Sequence, residues 1–178
     1  MKNNIFPTIF QIYRDANPKA EIGVLSEWAG IQFLVDTLST DYHAVAPDYN
    51  KFPTALCEMA EKYIKENKPS LVAICFDNPD HVGHKEGHDT PAYYSKLEEL
   101  DGYIARIVAA VKEAGMYDDT IFIITSDHGG IKKGHGGKTM AEMQTPFIIA
   151  GKNIKKAGEF QESMVQYDVA ATMAYIFG

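Results

Sequence analysis

Three short apolar runs most constrain the fold of this 178-residue chain, and they lie at residues 71–76, 120–125 and 146–150. A continuous apolar run of this length is typical of a β-strand that is covered on both faces. Longer amphipathic segments, at residues 53–67 and 90–114, alternate with the runs. The alternation predicts an α/β fold with a mostly parallel sheet flanked by helices. The remaining predicted elements are a strand and two helices, at residues 22–25, 31–38 and 168–176.

Composition limits the class of protein further. The length suits one domain, and the hydrophobic fraction of 46% is enough for a core. The net charge of -7 argues against a nucleic-acid partner, which a basic face would bind. We expect no membrane partner, because no run approaches the ~18 apolar residues that a membrane span requires. The start "MKNNIFPTIF" lacks the features of a signal peptide, and the localisation stays open. Both cysteines are predicted to be reduced core residues.

Acids and histidines follow two of the predicted strands. The segment "FDNPDHVGHKEGH", residues 76–88, ends the strand at 71–76, and Asp127 and His128 directly follow the strand at 120–125. His135 comes next, in the glycine-rich "GGIKKGHGG". Ligands of parallel sheets gather at the carboxyl ends of strands. The two clusters are therefore predicted to face one cleft.

Carboxylate and imidazole together are the ligand set of Zn²⁺. The spacing of Asp80 and His84 lets both side chains reach one ion from a turn. Asp127 and His128 are adjacent, so on a regular strand their side chains would point to opposite faces of the sheet. Where the strand ends the backbone can bend, and the two side chains can then converge or bind two neighbouring ions. Two ions about 3.5–4 Å apart can stabilise both the attacking and the leaving oxygen of an in-line displacement at phosphorus. The predicted metal ligands are Asp80, His84, Asp127, His128 and His135. The other three histidines, which we interpret as solvated or substrate-facing, are His43, His81 and His88.

Three stretches carry a resemblance to a known family. "PDHVGHKEG" resembles the first metal motif of nucleotide pyrophosphatase/phosphodiesterases, and "TSDHGG" resembles the second metal motif of the alkaline phosphatase superfamily. "YDVAATMAYIFG" is similar to a helix near the end of many members. The resemblance implies an alkaline-phosphatase-like fold with two zinc ions. It assigns Asp80, His84 and a later histidine, with His135 as candidate, to one ion. It assigns Asp127, His128, an N-terminal Asp and a Ser or Thr nucleophile to the other.

The expected nucleophile and first Asp are not identifiable. They belong upstream of "PTIFQIYRDANPKAEIGVLSEWAG", which only six residues precede. Thr8, Ser26 and Ser39 all come after that place. We therefore expect residues 1–178 to form a single, partial alkaline-phosphatase-like domain, truncated at both ends, that binds one zinc ion. No catalytic residue is assigned, and whether the chain acts as an enzyme stays open.

The leading functional hypothesis is a partial metal-dependent phosphodiesterase or nucleotide pyrophosphatase, inactive as this fragment, whose partner is a small phosphate ester. One alternative is a sulfatase or phosphonate hydrolase of the same superfamily. The other is a zinc-binding domain without catalysis. An uncovered sheet edge would also favour a homo-oligomer. The identity of the substrate cannot be predicted from the sequence.

Overall fold

The computed structural model describes residues 6–159 and 162–178. Residues 1–5, which form half of the stretch inspected for a signal peptide, lie outside the described residues. The described chain divides into two compact units. The first unit comprises residues 6–76 and 162–178, and the second comprises residues 77–159. The single domain over residues 1–178 stays a prediction.

The described residues form five strands and six α-helices. The strands are β1 (Ile22–Ser26), β2 (Tyr42–Val45), β3 (Leu71–Cys75), β4 (Ile121–Thr125) and β5 (Phe147–Gly151). The helices are α1 (Ile9–Ala16), α2 (Ala55–Asn67), α3 (Asp80–Glu86), α4 (Pro91–Glu113), α5 (Met140–Met143) and α6 (Asp168–Phe177).

In the first unit, three strands form a parallel sheet in the order β2-β1-β3. All five residues of β1 are buried, as its apolar sequence and central position require. Helix α2 buries Leu56, Ala60 and Ile64, which recur at the spacing of one helix face. The core of this unit therefore lies around β1 and α2.

In the second unit, β4 and β5 pair antiparallel. A parallel pair needs a crossover, usually through a packed helix, whereas an antiparallel pair does not. The connection at residues 126–146 holds only the four-residue helix α5 and a tight turn, in which Ile131 and Gly134 form an isolated antiparallel bridge. The prediction of a mostly parallel sheet therefore holds in the first unit and not for this pair.

The local predictions hold for most of the long elements. The predicted helix at 31–38 is wrong, because a 3-10 helix at Ala29–Phe33 stands there instead and leaves Leu34 and Leu38 exposed. The cysteines do not form a disulfide with each other, and Cys57 is buried as predicted, whereas Cys75 is only half-buried. Among the described residues, no helix is both long enough and apolar enough to cross a membrane.

Candidate metal centre

Helix α3 places two of the predicted ligands on one face. Asp80 opens the helix and His84 lies one turn later, at the i, i+4 spacing that brings side chains together. The Asp80 Oδ2 atom lies 3.2 Å from the His84 Nε2 atom. The sequence predicted a turn here, and the structure shows that a helix makes this approach.

The third ligand arrives from the glycine-rich loop. Ile131 and Gly134 exchange two backbone hydrogen bonds of 2.9 and 3.1 Å, which close a tight turn just before His135. The His135 Nε2 atom lies 3.1 Å from the His84 Nε2 atom and 3.8 Å from the Asp80 Oδ1 atom. One possible ligand atom from each of Asp80, His84 and His135 therefore falls in a group no wider than 4.8 Å.

The turn also orients His84. The His84 Nδ1 atom lies 3.0 Å from the Lys133 carbonyl oxygen, which can only accept a hydrogen bond, so Nδ1 carries the proton. In the neutral ring this leaves the lone pair on Nε2, the atom that faces Asp80 and His135. Metal-binding histidines are oriented in this way, by a hydrogen bond from the nitrogen that does not bind the metal. This contact could not be predicted from the sequence, because it joins residues 49 positions apart.

These residues fit a divalent cation. The Asp80 Oδ1 atom is buried and has no hydrogen-bond partner in the part of the chain that the structure describes. A buried carboxylate oxygen without a partner is costly, and a cation would offset that cost. One carboxylate and two imidazoles are also a ligand set that zinc accepts, with further positions for water or substrate.

The structure places the other two predicted ligands differently. His128 stacks on His135, with ring centroids 3.7 Å apart and an interplanar angle of 19°. The His128 Nδ1 atom lies 2.7 Å from the Gly129 carbonyl oxygen, and the side chain of Asp127 is 87% exposed. His128 therefore lies beside the compact group, but neither residue belongs to it. That Asp127 and His128 bind a metal stays a prediction.

Of the two alternatives that the sequence left for His88, solvated or substrate-facing, the structure contradicts the first. Only 8% of the residue is exposed, and its Nε2 atom lies 3.6 Å from the Asp80 Oδ1 atom. The polar segment around His88 suggested a surface residue. In the structure, however, Gly83 and Gly130 approach its ring closely and cover it. His43 and His81 are half-buried.

Glu142 anchors the segment that follows His135. The Thr139 hydroxyl donates to Glu142 Oε2 at 2.7 Å, and the Gly137 N–H donates to Oε1 at 2.9 Å. These hydrogen bonds hold the pKa of the Glu142 carboxyl below its ordinary value, and the bond from the Thr139 hydroxyl has the largest effect. The ionised carboxylate therefore stabilises the loop that carries His135.

A pH dependence follows from this anchor. A carboxyl group whose pKa is lower in the folded state stabilises the protein above its unfolded pKa, and the stabilisation is lost as the pH falls through the folded value. Glu142→Gln should therefore lower the melting temperature near neutral pH, and the difference from wild type should shrink on acidification to about pH 3. Thermal melts at several pH values would measure this. The exposed Glu98→Gln is the control, and an equal pH-dependent change in that variant would contradict the assignment.

The comparisons with known proteins agree with this fold. The structure of Ps i-CgsB in complex with k-i-k-neocarrahexaose superposes with a TM-score of 0.69 at 16% identity, covering 95% of this chain and 52% of that one. The structure of murine ectonucleotide pyrophosphatase / phosphodiesterase 5 gives a TM-score of 0.50 at 22% identity, covering 70% and 32%. Identities this low establish the fold alone. The fold is alkaline-phosphatase-like, as the sequence predicted.

Sequence comparison gives the family. The family described as type I phosphodiesterase / nucleotide pyrophosphatase matches residues 14–158. This chain belongs to that family. The catalytic subunit of human GPI ethanolamine phosphate transferase 2 is 27% identical over 137 residues, which cover 74% of this chain and 14% of that protein. The chain thus spans well under a third of that relative's length.

Proposed function

We propose that this chain carries a zinc-binding part of an enzyme that cleaves phosphate diesters or pyrophosphates. Membership of the phosphodiesterase family supports the reaction class. The observation that carries the proposal is the group formed by Asp80, His84 and His135, whose ligand atoms lie within 4.8 Å of one another. The substrate class is a small phosphate ester. A phosphate ester is negatively charged, and this acidic chain has no excess of basic residues to bind it. A bound metal ion would supply the positive charge.

The residues of the group have separate roles in this proposal. Asp80 supplies a carboxylate oxygen, while His84 and His135 each supply Nε2. The Lys133 carbonyl oxygen fixes the orientation of His84 through the 3.0 Å contact. A bound zinc ion would supply Lewis-acid stabilisation of charge on the phosphoryl oxygens. Three ligands from one compact group support one tightly bound ion, and a second, at Asp127 and His128, would bind more weakly.

Hydrolysis by residues 1–178 alone is expected to be absent or weak. The three hydroxyl residues singled out in the sequence do not suit an attack on a substrate. Ser26 and Ser39 are buried, at 0% and 3% exposure, and the Thr8 hydroxyl accepts a hydrogen bond from the Gln11 N–H at the start of α1. A nucleophile acts as a unit with its metals, so hydroxyl groups that cannot attack would leave little of the rate enhancement.

A second candidate function is transfer of a substituted phosphoryl group to the hydroxyl oxygen of an alcohol rather than to water. The name of the human relative, an ethanolamine phosphate transferase, favours it. The two reactions share the metal and differ in the acceptor. Product analysis with and without an added alcohol distinguishes them.

One experiment tests the proposal. The purified chain is titrated with zinc against a chelating dye, and hydrolysis of an aryl phosphodiester is followed in parallel. We expect about one tight equivalent of zinc, as three protein ligands and water allow, with little or no turnover. Two equally tight sites, or none, would overturn the metal assignment. Turnover that a chelator does not abolish would overturn the zinc-dependent chemistry.

A further inference from the structure

The ring of His135 lacks the hydrogen bond that orients its two neighbouring histidines. The Nδ1 atoms of His84 and His128 lie 3.0 Å from the Lys133 carbonyl oxygen and 2.7 Å from the Gly129 carbonyl oxygen, respectively. No described residue forms a hydrogen bond with the Nδ1 atom of His135. Histidines that bind metals usually owe their orientation to such a bond. His135 therefore depends on a different contact for its orientation.

The other surroundings of His135 do little to orient it once an ion is bound. Gly134 precedes the residue and Gly136 follows it at a φ of +94°, and neither glycine has a side chain that could pack against the ring. The His135 Nε2 atom lies 3.1 Å from the His84 Nε2 atom. Both of these atoms are proposed metal ligands, so a bound ion would replace their contact. What remains in the zinc-bound state is a contact at the face of the ring.

His128 provides that contact. The His128 and His135 ring centroids lie 3.7 Å apart, with an angle of 19° between the ring planes. Contact between aromatic rings restricts the orientations that each ring can adopt, and it requires no charge on either ring. An imidazole nitrogen binds a metal in the plane of its ring, so a contact at the face does not compete with the ion.

The His128 ring is itself held in place. Its Nδ1 atom faces the Gly129 carbonyl oxygen, and since a carbonyl oxygen only accepts, Nδ1 donates to it. The Ser126 hydroxyl donates to the His128 carbonyl oxygen at 3.1 Å. The Gly129 N–H donates to the Glu142 carbonyl oxygen at 2.8 Å. His128 is thus fixed through its ring and through the backbone on both sides, and it can serve as a support for a less constrained neighbour.

We propose that His128 is a positioning residue that orients His135 for metal binding through ring stacking. The inference rests on the proposed zinc site, and it gives His128 a role in the first ion that does not require it to be a ligand. The stack occupies the face of the His128 ring, so its Nε2 atom stays available to the weaker ion. Without the stack, the ion would have to order one more side chain, which should weaken zinc binding by about 3- to 10-fold.

Two replacements of His128 separate stacking from ligation. His128→Phe keeps a flat ring without a nitrogen, and His128→Ala removes the ring. By dye competition, the Phe variant should bind the first equivalent of zinc as tightly as wild type, and the Ala variant about 3- to 10-fold more weakly. Urea unfolding of the metal-free variants checks that both are folded. A loss in the Phe variant would show that a nitrogen of His128 acts, and unchanged affinity in the Ala variant would show that the stack does not. Either result overturns the proposal.

Spectra of the wild-type protein test the contact without any variant. Nuclear Overhauser effects between the carbon-bound ring protons of His128 and His135 should be present before and after the first equivalent of zinc. That equivalent should shift the nitrogen-15 signal of His135 Nε2 and leave that of His128 Nε2 in place. Loss of the Overhauser effects, or a coordination shift at His128, overturns the proposal.

The same measurements distinguish failure of this inference from failure of the proposed function. If the wild type binds no zinc, the proposed function and the positioning role fail together, and persistent Overhauser effects would then show that the stack is packing alone. If the wild type binds zinc and His128→Ala binds it equally well, only the positioning role fails.

Discussion

Replacing His135 with alanine is expected to weaken zinc binding by at least about 10-fold, the effect that even an indirect partner of a metal can have. His135 supplies one of three convergent ligand atoms, with its Nε2 only 3.1 Å from that of His84. Without it, Asp80 and His84 are left as two ligands, which is too few to hold zinc tightly. Competition with a chelating dye measures the affinity of each variant.

His81→Ala is the matched control for His135→Ala. His81 neighbours Asp80 in the sequence, but the compact ligand group does not include it. We expect the affinity of this variant to match that of wild type. If His81→Ala loses zinc while His135→Ala retains it, the third ligand is misassigned and the loop at residues 134–137 is only a turn. The sequence also predicted little effect at His88, and this stays a prediction, although the residue is buried and its Nε2 atom lies 3.6 Å from the Asp80 Oδ1 atom.

Gly129→Ala is expected to destabilise the second unit by about 1–3 kcal/mol, the usual cost of overpacking. A methyl group on Gly129 would lie 2.1 Å from the Ala141 carbonyl oxygen and 3.0 Å from the Gln144 carbonyl oxygen. Both are backbone atoms, so no side-chain rotation relieves the clash. The Gly129 N–H also donates to the Glu142 carbonyl oxygen at 2.8 Å, which holds the two segments together. The backbone must therefore shift next to His128.

Gly134→Ala provides the same chemical change in open space. A methyl group there would meet nothing within 4 Å among the described residues. The free energy of unfolding of this variant should differ from that of wild type by no more than about 0.5 kcal/mol, as for most surface substitutions. Urea unfolding of both variants measures the difference. Equal midpoints for the two variants would show that the approach of Gly129 to α5 does not constrain the loop.

The sequence predicted the strands because their signal is local. Each buried strand is a short continuous apolar run, and such a run is visible without knowledge of its neighbours. The same reasoning failed at residues 31–38, where apolar residues lie on a surface rather than on one covered helix face. It also left β2 unassigned, because Tyr42–Val45 is short and only partly buried.

The identities of the residues by themselves determined the α/β fold and the family, and they predicted the five candidate ligands Asp80, His84, Asp127, His128 and His135. Carboxylates and imidazoles have fixed chemistry, and their place after strand ends can be deduced from the order of the chain. Only the tertiary structure decided how these groups meet. The orientations of the His88 and His84 rings depend on the carbonyl oxygens of Lys132 and Lys133, which lie 44 and 49 residues away. Contacts over such separations form when the chain folds, and backbone carbonyls carry no signature in the sequence that would reveal them.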